Sequence, residues 1–220
     1  MQNYNQPPMK ITNADSDAQR VCSDCGRGYR FNTLLNPAAT RNHCADCARR
    51  HRLWAEICPP LYRDTDPARL PQNSLNNVLA WQYGVRGLVL HGPTGKGKTR
   101  AAFLLLHRLY WQERKIIVAF DATGFSHAVA KQFGPDGNSE RWLQKVKVAD
   151  VVFFDDLGKG KLTERGEAEL FGIFEARTAN RKPIIVTANS VGDSLAASLR
   201  PDTGPPLVRR LREFCECVAF

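Results

Sequence analysis

One stretch of the chain has the residue types and spacing of a phosphate-binding loop. Residues 92–99 read GPTGKGKT, which satisfies the pattern G-x-x-x-x-G-K-[ST]. Glycines let backbone N–H groups turn towards an anion, and a helix that begins at the loop adds partial positive charge there. Lys98 is expected to contact the β- and γ-phosphates of a nucleotide, and the Thr99 hydroxyl to ligate Mg²⁺. The predicted phosphate-binding residues are Gly92, Pro93, Thr94, Gly95, Lys96, Gly97, Lys98 and Thr99.

Polar side chains also follow two apolar runs further along the chain. Asp155 and Asp156 come directly after VVFF, and Asn189 follows PIIVTA. We expect Asp155 to position Mg²⁺, directly or through water, and Asp156 to orient and deprotonate an attacking water. The Asn189 amide would hold that water near the γ-phosphate. Taken singly, each would be an ordinary solvated residue at the end of a strand, and it is their order after the loop that favours a catalytic site.

Four of the seven cysteines have the spacing of a metal site. Cys22-x-x-Cys25 and Cys44-x-x-Cys47 are separated by 18 residues, which lies inside the window for zinc. Four thiolates complete a tetrahedral Zn²⁺, so the ion is expected to be structural. His43 and His51 flank this site but are not needed as ligands, and we interpret them as surface residues. Cys215 and Cys217, on one face of a strand, are expected to be buried.

The elements that must position these residues alternate between strand and helix. The apolar runs are short and continuous, as in parallel strands covered on both faces, and a helix is expected from Leu162 to Asn180. This alternation predicts an α/β fold with a parallel sheet. The predicted strands are Gly87–His91, Ile116–Phe120, Val151–Phe154, Pro183–Thr187 and Cys217–Phe220.

Composition divides the 220 residues into four segments. We interpret residues 1–20 as a flexible arm, 21–52 as the zinc-binding module, 53–73 as a proline-rich linker and 74–220 as the main domain. No apolar run approaches the roughly 18 residues that span a bilayer, and the N-terminus has no signal-peptide core, so a cytoplasmic protein without a membrane partner is expected. The net charge of +9 is compatible with nucleic acid or with a solvated basic surface.

Together the motifs resemble the AAA+ ATPases, and more closely the branch of DnaC, DnaI and the transposition helper IstB. The resemblance covers about residues 74–220 and rests on GPTGKGKT, VVFFDDLG, the stretch Leu170–Arg177, IIVTAN and LVRRLREFCECVAF. It implies a five-stranded parallel sheet between helices, ATP and Mg²⁺ as cofactors, and a homo-oligomer when ATP is bound. It also implies an arginine that reaches the nucleotide of the adjacent subunit, for which Arg210 is the best match and Arg209 the second. A basic surface that touches DNA is the alternative for both arginines.

The sequence ends directly after the last predicted strand, so we expect no C-terminal helical lid. The resemblance favours an ATP-hydrolysing DNA-replication protein that binds single-stranded DNA and a hexameric helicase. One alternative is an IstB-like transposition helper that acts on duplex DNA with a transposase. Another is a nucleotide-switched zinc adaptor with little hydrolysis, suggested by the short side chain of Asp156. DNA contacts are expected within Thr123–Arg141, with Lys131 and Arg141 as candidates, while the zinc module would contact a helicase or, through its arginines, nucleic acid.

Overall fold

The computed structural model describes residues 19–30 and 42–220, which fall into two units divided between Glu56 and Ile57. Nearly all of the predicted arm, residues 1–18, lies outside the described residues. From Ile57 onwards, the segment interpreted as a linker belongs to the larger unit. Within residues 19–30 and 42–220, no helix combines the length and the apolar character needed to cross a membrane.

The smaller unit is organised around sulfur atoms. Strands β1 (Gln19–Val21) and β2 (Gly28–Arg30) form an antiparallel hairpin, and helix α1 covers Ala45–Ile57. Three cysteines form the buried cluster here, with Cys25 and Tyr29 packed against it. So small an apolar core buries little surface, so a unit of this kind usually needs metal binding to supply part of its folding free energy.

The larger unit contains a five-stranded sheet in which every neighbouring pair is parallel. The spatial order is β4-β5-β6-β3-β7, so the last strands in the chain, β6 and β7, lie on either side of β3. This arrangement confirms the predicted parallel α/β fold. The strands are β3 (Gly87–His91), β4 (Ile117–Asp121), β5 (Val151–Leu157), β6 (Ile184–Ala188) and β7 (Cys215–Ala219).

Helices connect these strands and supply the apolar side chains that bury them. Leu170 and Phe174 of α7 are buried in the sheet's hydrophobic core and Phe171 packs against it, as their spacing predicted. The Thr163 hydroxyl accepts a hydrogen bond from Gly166 N and so caps that helix. The helices are α2 (Pro60–Arg63), α3 (Gln72–Ala80), α4 (Lys98–Trp111), α5 (Ala122–Gln132), α6 (Ser139–Val148), α7 (Glu164–Ala179), α8 (Asp193–Ala196) and α9 (Gly204–Phe214).

Expectations about two strands, β5 and β7, were wrong, and β7 begins at Cys215 and ends at Ala219 where Cys217–Phe220 was expected. Strand β5 does not end at Phe154 but continues through the two aspartates to Leu157, across an irregularity in its pairing with β6. Cys217 is exposed, although Cys215 on the same strand is buried. Strand β7 lies at the edge of the sheet, where only Cys215 packs closely against Gly87 of β3, so the strand alone does not ensure that both cysteines are buried.

A buried arginine fixes the beginning of β5 relative to its neighbours. Arg177 is fully buried on α7, and burial lowers its pKa to about 10. Its guanidinium donates hydrogen bonds to carbonyl oxygens at the end of α6, the start of β5 and the start of β6. These acceptors are the backbone oxygens of Val146, Lys147, Ala149, Asp150 and Pro183, at 2.7 to 3.2 Å. One side chain therefore holds together the starts of β5, which carries Asp155, and of β6, which ends directly before Asn189.

Candidate functional site

The loop between β3 and α4 has the geometry that its glycines predict. Gly92 has a φ of 139°, and a Cβ there would lie 2.3 Å from the carbonyl oxygen of Phe220, so no larger residue fits without a shift. Gly97 has a φ of 92° and precedes the first residue of α4. The loop therefore ends at a helix N-terminus, where partial positive charge favours phosphate oxygens.

Lys98 is the first residue of α4, and it is 5% exposed. Its Nζ donates to the carbonyl oxygens of Gly92 at 2.7 Å and Pro93 at 2.9 Å, and to Oδ1 of Asn189 at 3.0 Å. Burial lowers the pKa of the ammonium group, and the nearby Asp156 and Asp155 partly oppose that shift. The structure thus brings together two residues that the sequence predicted for one site, Lys98 and Asn189, across 91 positions of the chain.

Thr99 and Asp155 provide two neighbouring oxygen atoms in the arrangement expected for ligands of a magnesium ion. Thr99 Oγ1 lies 2.8 Å from Asp155 Oδ1. Adjacent oxygen ligands of an octahedral Mg²⁺, with bonds of about 2.0 to 2.1 Å, lie roughly 2.9 Å apart, so this pair fits the ion. Burial raises the pKa of Asp155, while hydrogen bonds from Thr187 and Thr99 act in the opposite direction. A cation would remove the cost of holding this carboxylate ionised in a buried place.

The sequence did not single out Thr187, which links the two aspartates. Its side chain is fully buried on β6, and its hydroxyl donates to Asp155 Oδ1 at 2.5 Å. The Thr187 hydroxyl oxygen in turn accepts a hydrogen bond from the backbone N–H of Asp156 at 2.8 Å. Asp156 adopts a left-handed conformation with a φ of 53°, which is uncommon for a residue other than glycine. Its carboxylate is paired with Lys159 at 2.9 Å.

A cavity of about 440 Å³ opens over the loop, and part of its wall comes from the segment interpreted as a linker. We call residues 59–71 the strap. Arg100 on α4 donates to the Leu61 carbonyl oxygen at 3.1 Å and to Thr65 Oγ1 at 3.3 Å, and Tyr62 stacks on Phe103 with ring centroids 4.9 Å apart. The sequence predicted only a proline-rich linker here and did not indicate that it lines a cavity over the loop. The strap residues that line the cavity are Tyr62, Asp64, Thr65, Asp66, Arg69 and Leu70.

Arg210 lies apart from this cluster. On α9 its guanidinium pairs with both carboxylate oxygens of Glu175 on α7, at 2.5 and 3.0 Å, and with Glu213 at 3.5 Å. The hydrogen bond from Arg210 lowers the pKa of Glu175. Arg209, the second choice from the sequence, is exposed. A role towards a neighbouring subunit stays a prediction for either arginine.

The two residues expected to contact DNA are exposed on neighbouring helices. Lys131 is in the last turn of α5, and Arg141 is in the first turn of α6. Between them, the Asn138 side chain caps α6 by accepting from Arg141 N at 3.0 Å. Their exposure is compatible with DNA contact and with an ordinary solvated surface.

In the smaller unit the four predicted sulfurs converge. The ligand atoms of Cys22, Cys25, Cys44 and Cys47 all lie within 4.8 Å of one another, and the Cys25 and Cys44 sulfurs are 3.8 Å apart. Tetrahedral zinc with bonds of about 2.3 Å holds its sulfurs roughly 3.8 Å apart, so the donor set fits this ion. Burial would raise the pKa of Cys22, but backbone hydrogen bonds from Cys44, Cys25 and Asp24 bring it down to about 6. That shift favours the thiolate that a metal requires.

Comparison with known proteins finds similarity to ATP-binding proteins. The model of the IstB-like ATP-binding protein family matches residues 63–203. An ATP-binding protein of an insertion sequence from Mycobacterium tuberculosis is 27% identical over 181 residues, which are 78% of this chain and 70% of that protein. The ATP-binding protein of insertion sequence IS1162 from Pseudomonas fluorescens is 27% identical over 129 residues, or 55% of this chain and 52% of its own length.

Solved structures share the fold at lower identity. The DnaC helicase loader matches with a TM-score of 0.58 and 22% identity, over 77% of this chain and 98% of that one. DnaI matches with a TM-score of 0.54 and 19% identity, over 76% and 93%. AMPPCP-bound DnaA from Aquifex aeolicus has a TM-score of 0.56 and 18% identity, and this chain spans half of its length. These likenesses show an AAA+ type of P-loop fold.

Proposed function

This chain belongs to the family of IstB-like ATP-binding proteins, and we propose that it binds Mg²⁺-ATP at residues 92–99 and hydrolyses it. The observation that carries the proposal is the 2.8 Å separation of Thr99 Oγ1 and Asp155 Oδ1. These oxygens come from residues 56 positions apart, and they meet where the loop enters α4. A loop that only turned the chain would not need a buried carboxylate beside it.

Each residue of the cluster has a distinct task under this proposal. Lys98 would exchange its carbonyl and amide partners for phosphate oxygens, which accept more strongly because they are charged. Asp156 would accept the proton of the attacking water, and Asn189 would orient that water. Bound Mg²⁺ supplies positive charge to the phosphate oxygens, with Thr99 and Asp155 as the groups that would hold it.

Phosphate release by the full chain, measured with and without Mg²⁺, tests the hydrolysis. We expect Lys98→Ala to abolish turnover together with ATP binding, and Asp156→Asn to keep binding while turnover falls by about 10² to 10⁴. Lys145→Ala, at an exposed lysine of α6, is the matched control and should leave both close to wild type. If Asp156→Asn matched the wild type in every effect of ATP, the alternative of a nucleotide switch with little hydrolysis would replace an ATPase.

We further propose that hydrolysis depends on assembly, because the described residues of the cluster include no arginine aimed at the loop from α9. Mixing Lys98→Ala with Arg210→Ala tests this directly, since a mixed assembly contains interfaces with one intact loop and one intact arginine. Recovery of turnover on mixing would support the proposal that Arg210 reaches the nucleotide of the adjacent subunit. If turnover instead fails to recover while Arg210→Ala lowers the melting temperature as much as Glu175→Gln does, Arg210 is a structural partner of Glu175. In that case Arg209→Ala takes the place of Arg210→Ala in the same mixing experiment.

We favour a role for this chain as a transposition helper, with a transposase as its protein partner and duplex DNA as its nucleic acid. The support is the family match and two relatives that are named as insertion-sequence proteins. Helicase loading on single-stranded DNA is the second candidate, because a four-cysteine module ahead of an ATPase unit resembles DnaI-type loaders. Stimulation of ATP turnover by duplex but not single-stranded DNA would support the first, and the reverse the second. Lys131→Ala with Arg141→Ala should weaken either form of DNA binding.

A further inference from the structure

Three more side chains with metal-binding atoms converge in the smaller unit, beside the four sulfurs. The ligand atoms of Asp24, His43 and His51 all lie within 4.8 Å of one another. Asp24 Oδ2 is 2.8 Å from Nε2 of His51 and 3.5 Å from Nε2 of His43. The two imidazole rings are 4.5 Å apart between centroids. Both rings therefore direct a nitrogen at one carboxylate oxygen.

These separations are close to those that a small divalent cation would require. Zinc with bonds of about 2.0 to 2.2 Å to nitrogen and oxygen holds tetrahedral ligand atoms roughly 3.3 to 3.5 Å apart. The 3.5 Å from Asp24 to His43 lies at the upper end of this range, and the 2.8 Å from Asp24 to His51 lies below it. A bound ion would need the Asp24 and His51 atoms to separate by only about half an ångström.

The charge of the neighbouring groups also favours a cation at this position. The side chains of His43, Asp24 and His51 are 26%, 27% and 45% exposed, so an ion bound here would remain accessible to water. Asp24 stands between Cys22 and Cys25, and a zinc ion on four thiolates keeps a formal charge of about −2. Arg27, hydrogen-bonded to Cys25, balances part of this charge.

We propose that Asp24, His43 and His51 form a second divalent-metal site, selective for Zn²⁺ and similar ions that accept imidazole. Two nitrogen ligands disfavour Mg²⁺ and Ca²⁺, which take oxygen ligands. An ion at this position would replace the Asp24–His51 hydrogen bond, and a neutral His51 that binds it through Nε2 would carry its proton on Nδ1. Three protein ligands leave at least one coordination position for water or for a phosphate or carboxylate oxygen.

Metal stoichiometry of the full chain tests this proposal. After loading with Zn²⁺ and dialysis against metal-free buffer, elemental analysis should find two equivalents in the wild type. Asp24→Ala and His51→Gln should each retain one, and His127→Gln, an exposed histidine on α5, should retain two. Loading with Co²⁺ reports the four-thiolate site separately, because only thiolate ligands give sulfur-to-cobalt charge-transfer absorption.

The wild-type count decides the outcome even if a variant fails to fold. One equivalent of Zn²⁺ in the wild type, with the thiolate–cobalt absorption fully developed, would overturn the proposal. The Asp24–His51 contact would then be a hydrogen bond that supports the turn between Cys22 and Cys25. Two equivalents in both Asp24→Ala and His51→Gln would also overturn it, because the second ion would then bind elsewhere. Two ¹¹³Cd resonances in the wild type, one of which disappears in both variants, would support it.

Discussion

Replacing Thr187 by valine should weaken magnesium binding by Thr99 and Asp155 while keeping a side chain of nearly the same size. The hydroxyl donates to Asp155 Oδ1 and accepts from Asp156 N, and the side chain is fully buried. Valine keeps the packing but removes both hydrogen bonds. The carboxylate then loses a donor, and the Asp156 N–H is left without the acceptor that holds its left-handed conformation.

The size of the effect follows from these two bonds. A hydrogen bond to a charged group contributes about 1.5 to 3 kcal/mol, which corresponds to roughly a 10- to 150-fold loss of turnover if Asp155 is misplaced. The unpaired N–H costs about 1 to 3 kcal/mol of stability. For a chain of this size, that lowers the melting temperature by roughly 2 to 12 °C.

The pH dependence supplies a second measurement. Burial already raises the pKa of Asp155, and the Thr187 hydrogen bond opposes this by favouring the charged form. Loss of the bond should raise that pKa further, so the acid side of the turnover profile should move to higher pH in Thr187→Val. In the nucleotide-free chain the raised pKa makes ionisation costly, so stability from this group is lost as pH rises from the unfolded pKa to the folded one.

Thr187→Ser is the matched control, since it keeps the hydroxyl and removes only a methyl group. We expect its turnover and pH profile to stay close to those of the wild type, with a modest loss of stability. Steady-state phosphate release across pH, together with thermal unfolding, gives both readouts. Turnover of Thr187→Val within twofold of the wild type would refute the reasoning, and so would an equal loss in the serine variant.

The remaining predictions concern parts that hold the site in place. Arg177→Met should lower the free energy of unfolding by about 3 to 5 kcal/mol, because it leaves several buried carbonyl groups without a donor. The control Arg141→Met, on the exposed face of α6, should change the free energy of unfolding little. Urea unfolding measures both variants. Arg100→Ala should free the strap and raise the dissociation constant for ATP by roughly three- to tenfold, with Lys131→Ala unchanged, as measured by calorimetry. Cys22→Ser, or a zinc chelator, should unfold the smaller unit while ATP still protects the larger one from proteolysis; loss of that protection would contradict the division into two units.

Local sequence was sufficient for the loop and for the cysteine cluster. Residues 92–99 are contiguous, and their pattern carries its own backbone requirements. The spacing of the two cysteine pairs likewise predicts that their four sulfurs bind one metal ion. Asp155 and Asn189 needed one further step, which is that the carboxyl ends of parallel strands meet at one edge of a sheet. These are the parts of the site that short-range rules determine.

Other contacts depend on tertiary placement and gave no comparable signal. Thr187 looked like one more strand residue, and its role exists only because β6 lies beside β5. The strap was visible as four prolines, but nothing in their spacing says that they pass over the loop. Arg210 was chosen by resemblance, and its pairing with Glu175 joins residues 35 positions apart on two helices. Pairings of this kind follow from how α7 and α9 pack.

The strand order explains why β6 has so central a part in the proposed chemistry. It lies between β3, which leads into the phosphate loop, and β5, which carries the aspartates. Asn189 at its end contacts Lys98, and Thr187 two residues earlier contacts Asp155 and Asp156. A phosphate that drew Lys98 away would therefore free Asn189 on the strand that also holds the base in place. Because the chain continues from Asn189 through α8 to α9, the same strand connects the nucleotide to the helix that carries Arg209 and Arg210.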